Sequence, residues 1–177
     1  MTNSQEKNIY PYTFIYKCKA HTLLWESSSK GDVFLTKDNN IPYIADDIQD
    51  AKKIFSELPF NIIWSDAATM DFDMFWKELN DLNIKKPSDE KTCDVILNGW
   101  NFIEDLIRTF SLDGLREKLT DLQLNKAYKK IFYGNNIEAV TPNDYSYNPL
   151  WEEEEILILR EKLAYVWDEI GKKTKLW

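Results

Sequence analysis

The residues able to do chemistry are few and scattered. His21 is the only histidine, and Cys18 and Cys93 are the only cysteines. A catalytic thiol needs a base within hydrogen-bond reach, and zinc needs four ligands at short spacings. One histidine and two separated cysteines supply neither pattern. Carboxylates remain. Asp71-Phe72-Asp73 is a D-x-D pair that, with Asp66, could hold a divalent cation for metal-assisted hydrolysis. The same pair also suits a helix start, where the dipole favours acids. Glu152-Glu153-Glu154-Glu155 is the strongest charge run, and it too stands ahead of a helical pattern. No residue is therefore assigned as catalytic, as a metal ligand or as a cofactor contact. The chemistry on offer is recognition rather than turnover.

The charge balance points the same way. Twenty-two Lys and Arg stand against 30 Asp and Glu, a net −8, with a pI near 4.8. Gripping a phosphate backbone normally requires a basic face, so nucleic acid is not the expected partner. The acids are bunched. From Asp38 to Asp81 there are ten of them against Lys52, Lys53 and Lys77, a local −7. Asp46, Asp47, Asp50, Asp66, Asp71 and Asp73 from this segment are candidate partner contacts. Glu152 and Glu153 are a second set. Asp144, Tyr145 and Tyr147 are a third, because tyrosine supplies wide contact area at low entropic cost beside an acid. A solvated face is the ordinary alternative for any such cluster.

The elements that must position these residues read as α+β. Tyr12 to Cys18, His21 to Glu26 and Val33 to Thr36 are rich in aromatic and β-branched residues and are separated by short turns, an antiparallel meander. Pro42 makes Ile41-Pro42-Tyr43-Ile44 an edge strand or a linker. Asp46 and Gln49 have capping-box spacing for a first helix ending at Pro59. Phe60 to Trp64 reads as a fourth strand. Phe72, Phe75, Trp76, Leu79 and Leu82 mark a second helix from about Asp71 to Leu82. Ser88 is the expected cap of a long third helix through Cys93, Ile96, Trp100 and Ile107. A fourth runs from Asp113 to a glycine stop at Gly134. Residues 135–149 have no clear period and read as either a functional loop or a partly structured segment. Asn148-Pro149 then opens a last helix that ends near Gly171. The expected architecture is one domain over 1–177: a small antiparallel sheet with two helices in 9–82, then a helical half in 88–177.

Nothing in the chain approaches the roughly 18 apolar residues of a membrane span. The polar start, Met1 to Asn8, has no apolar signal core. Both cysteines read as reduced, buried small hydrophobes in a cytoplasmic protein.

An acidic, aromatic-rich chain of this kind, with 7 Trp, 9 Tyr and 9 Phe, resembles the immunity proteins of bacterial contact-dependent growth inhibition and related polymorphic toxin systems. The nearest stretches are Thr22-Leu23-Leu24-Trp25-Glu26, Phe60-Asn61-Ile62-Ile63-Trp64-Ser65-Asp66 and Asn98-Gly99-Trp100. The resemblance lies in whole-chain character and transfers no binding residue. It implies a protein, monomeric when free, that binds a basic toxin domain, a nuclease and plausibly an RNase, and covers its active site with acidic side chains. The alternatives are a metal-assisted hydrolase using Asp66, Asp71 and Asp73, or an adaptor subunit of a complex.

Overall fold

The computed structural model describes residues 8–28, 31–37, 41–138, 146–174 and 176. The first two strands, β1 (Asn8–Tyr16) and β2 (Lys19–Ser27), form an antiparallel hairpin in continuous register from Asn8↔Ser27 to Tyr16↔Lys19. Its alternation separates two faces. Ile9, Pro11 and Leu24 lie on one face, and Phe14, Leu23 and Trp25 on the other. β3 (Val33–Phe34) and β6 (Ile44–Ala45) both pair antiparallel with β2. β4 (Thr36–Lys37) and β5 (Ile41–Pro42) make a separate two-stranded ribbon. The meander and the proline-bearing short strand match the sequence reading.

The outer strand beyond β1 differs from expectation. It is β7 (Ala68–Asp71), parallel to β1, so the sheet is mixed. Phe60 to Trp64 is not a strand: only Ile62 makes a bridge, to Ile9, and Trp64–Asp66 is a 3-10 turn. Phe60, Ile62 and Trp64 instead pack against the core of Ile9, Leu24, Ala45, Ala51 and Phe55. Their apolar run marked burial, which a periodicity reading cannot tell from strand pairing. A parallel strand needs a crossover, and α1 (Ile48–Phe55) lies within it. α1 is capped by Asp47 rather than Asp46. The Asp47 carboxylate accepts the N–H groups of Gln49 at 2.7 Å and Asp50 at 2.8 Å.

The chain packs as two compact units, Met1–Asp73 with Arg108–Ser111, and Met74–Ile107 with Leu112–Trp177. The sheet and α1 belong to the first. In it the Arg108 guanidinium donates to the Asp32 carbonyl at 2.7 Å, and the Thr109 hydroxyl accepts the Phe34 N–H.

The second unit is helical. α2 (Phe72–Asp81) follows β7 without a linker, and α3 (Glu90–Thr109) is the long expected helix. Its capping side chain is Asp89, which accepts the Thr92 N–H at 2.9 Å. Ser88 is buried and accepts the Trp151 indole N–H at 2.8 Å instead. The helix expected from Asp113 to Gly134 is broken. α4 (Asp113–Arg116) runs into a 3-10 turn, and α5 (Leu122–Gly134) restarts with Asp121 as its N-cap. A side chain able to bond backbone N–H groups competes with helix continuation at that point.

Two helical glycines are required by close packing. A Cβ on Gly99 would collide with the Phe75 ring, and one on Gly134 would sit 2.5 Å from the Cys93 sulfur. Gly134 is therefore a packing position, and Asn136 takes the left-handed conformation past the helix end, with φ 51°. α6 (Glu153–Thr174) starts later than Asn148-Pro149 and extends past Gly171. Its start carries one half of a capping box: the Glu152 carbonyl accepts the Ile156 N–H, and the Glu155 carboxylate reaches back to the Glu152 N–H at 2.9 Å. Trp151 and Ile156, both buried, occupy the hydrophobic-staple positions around it. Among the described residues no helix is long and apolar enough to cross a membrane.

Candidate partner-binding surfaces

In the first unit, sheet register places the candidate acids. Asp71 ends β7 opposite Ile15, and Asp46 follows Ala45, which pairs with Thr22. The order β6-β2-β1-β7 puts these two acids on opposite edges, about 14 Å apart at the usual strand spacing. Lys17 and Lys19 lie between those edges, at the β1–β2 turn. Asp66 precedes β7, so the strand's length, roughly 13 Å, separates it from Asp71. The six aspartates are therefore spread over two edges of the sheet rather than gathered at one point. Among the described residues no group of three or more His, Cys, Asp or Glu could hold a metal ion.

Asp73 has a specific local role. Lys17 and Cys18 both adopt positive φ, 51° and 59°, in the two-residue turn between β1 and β2. That geometry favours Asn-Gly and costs other residues about 1–2 kcal/mol each. The Asp73 carboxylate answers both exposed N–H groups, accepting from Lys17 at 2.8 Å and from Cys18 at 2.7 Å. One member of the D-x-D thus holds a hairpin turn and does not merely start a helix. Asp47 is likewise engaged as the α1 cap. Asp46 and Asp66 are exposed, and Asp50 is half-buried in the first turn of α1.

His21 lies opposite Phe14, with ring centroids 5.2 Å apart. Burial pushes it below the usual imidazole range, against an upward pull from Asp46, and Lys19 adds to the lowering. Cys18 is exposed at the turn, contrary to the expectation that both cysteines are buried; both are free thiols. Burial pushes the Cys93 thiol up to about 12, with a further contribution from Asp89, so it is a packing residue rather than a nucleophile.

In the second unit, the acidic run at the start of α6 divides by role. Glu155 is buried, bonded to the Glu152 N–H and paired with Lys130 at 2.6 Å. Glu152, Glu153 and Glu154 are exposed. The loop ahead of α6 is anchored at both ends by one side chain. Asn136 accepts the Tyr147 N–H at 2.8 Å and donates to its carbonyl at 3.3 Å. Tyr147 is half-buried, while Asp144 and Tyr145 lie outside the described residues.

A cleft of about 350 Å³ lies where α2 ends and α3 begins. Its charged lining is balanced: Lys77, Lys86 and Lys91 against Glu78, Asp81 and Asp89. Lys77 bridges Asp81 at 3.1 Å and Glu78 at 3.4 Å, and the Thr92 hydroxyl donates to Glu78. Hydrogen bonds from Thr92, and then the nearby charges of Lys86 and Lys91, hold the Asp89 carboxyl below the usual aspartate range. The groups of this cleft answer one another, which marks a polar seam between helices.

Sequence reasoning missed four contributors: Asp73 as a turn clamp, Asn136 as a loop clamp, Glu155 as a cap, and Arg160. The Arg160 guanidinium binds the Leu79, Asn80 and Leu82 carbonyls at 3.1, 2.7 and 3.1 Å, closing the C-terminus of α2. Only Glu155 carried a sequence signal, its place three residues after Glu152.

Net charge differs between the units. The first holds 8 Lys and Arg against 11 Asp and Glu, and the second 14 against 19, so −3 and −5. The second carries the larger surplus. Comparison with known protein families, with curated proteins and with solved structures finds no match to this chain.

Proposed function

We propose that this chain is a non-catalytic binding protein that neutralises a cognate basic toxin domain, a nuclease and in the first instance an RNase, by covering its active cleft with carboxylates. The protein would act in the cytoplasm of the cell it protects, as the immunity proteins it resembles do. The observation that carries this reading is the surplus of exposed acid left after the structural work is assigned. Asp47, Asp73 and Glu155 stabilise backbone, whereas Asp46, Asp66, Glu152 and Glu153 face solvent. Outward carboxylates attract a cationic cleft at long range and substitute for phosphate oxygens within it.

Co-expression tests this directly. The toxin to test is a basic C-terminal domain encoded immediately upstream, where the source genome carries one. Expressed alone it should arrest growth; with this chain, growth should recover and the two should co-elute. Arrest that persists despite soluble expression of both proteins would refute the reading.

A further inference from the structure

We propose that the outward face of α6 is the docking surface for the cationic partner, an inference that rests on the toxin-binding reading and gives it a place. α6 turns its apolar side inward: Ile156, Leu159, Leu163, Val166 and Ile170 are buried. The opposite side presents Glu154, Leu157, Glu161 and Tyr165 at steps of three, four and four residues, one continuous stripe on a helix. Leu157 is 54% exposed and Tyr165 49%. They stand about 12 Å apart along the axis, with Glu161 between them.

Two of the four cations of α6 are engaged elsewhere, while Lys162 stands half-buried on the flank of the stripe. Arg160 is committed to the carbonyls at the end of α2. Lys172 is held by Asp168 at 2.6 Å and Glu169 at 3.0 Å. Among the described residues no ion pair engages Glu153, Glu154 or Glu161. Two apolar side chains flanked by unanswered carboxylates complement a basic surface with apolar recesses, read as an amphipathic helix laid into a groove. Tyrosine is a favoured anchor in such contacts. The acids set approach and register, and the apolar pair sets how long the complex lasts.

The probe is a synthetic 18-residue Lys/Leu amphipathic peptide, titrated into the isotopically labelled full chain and followed by NMR. The largest shifts should fall on Leu157, Glu161 and Tyr165. The Leu157→Ala/Tyr165→Ala double variant should bind at least fivefold more weakly at both low and high salt. Glu154→Lys/Glu161→Lys should lose binding mainly at low salt. Both variants change exposed positions, and an unchanged far-UV CD spectrum confirms folding. Shifts centred on Asp46 to Asp50 or on the α2–α3 cleft, or full affinity in the apolar variant, would overturn the proposal. Binding at this face without rescue in the growth assay would uphold the surface and refute the toxin reading.

Discussion

The turn end of the sheet and the outward face of α6 are both acidic, yet they spend their carboxylates differently. At the sheet, Asp73 bonds the two N–H groups of a left-handed turn and Asp47 caps α1. Along α6, one acid of the starting run, Glu155, turns inward to bond the Glu152 N–H, while Glu153, Glu154 and Glu161 remain exposed. The difference lies in what each acid can reach. A carboxylate beside unsatisfied backbone N–H groups is captured by them, since hydrogen bonds to a charged group are the stronger kind. Glu161, projecting from mid-helix, finds every N–H already bonded, so it stays available to a partner.

That contrast predicts opposite costs for removing acids. Asp73→Ala should have the largest effect on stability, about 2–3 kcal/mol, because two charge-assisted bonds vanish beneath a strained turn. Adding Cys18→Gly to Asp73→Ala should recover about 1 kcal/mol, since glycine accepts positive φ freely. Denaturant melts of the two variants check this, and an Asp73→Ala cost below about 0.5 kcal/mol would contradict the clamp. Asp47→Ala should cost about 1 kcal/mol, the usual value of an N-cap. Glu154→Gln with Glu161→Gln should change stability by less than about 0.5 kcal/mol.

Periodicity and turn chemistry made much of the fold legible. The stripe from Phe72 to Leu82 became α2, the stripe from Cys93 became α3, and the aromatic, β-branched start became a hairpin. The boundaries that moved did so for local reasons. Asp46 and Asp47 are equivalent in sequence, and only the extended backbone at Asp47 selects it as the cap. Thr120-Asp121 broke a pattern that Leu119 and Leu122 appeared to continue. Phe60 to Trp64 was apolar because it is packed, while the strand itself, Ala68 to Asp71, carries no strand pattern and is held by its parallel partner. The candidate site was less legible. The −7 segment is a fact of chain order, whereas sheet register distributes its acids over two edges with lysines between. The clamp between Asp73 and the Lys17-Cys18 turn joins residues 55 and 56 positions apart. No window along the chain reveals such a contact.

We propose that the exposed acids of α6 contribute more to recognition of a basic protein than Asp46 and Asp66, which are exposed too. The most direct test is the association rate with the cognate basic domain as a function of ionic strength. It should be measured for the wild-type chain, for Glu154→Lys/Glu161→Lys, and for Asp46→Lys/Asp66→Lys. The predicted result is a rate that falls steeply with salt in the wild type and in the sheet variant, and a rate at least tenfold lower and nearly salt-independent in the α6 variant. An α6 variant that associates like the wild type, with the loss appearing in the sheet variant, would contradict it.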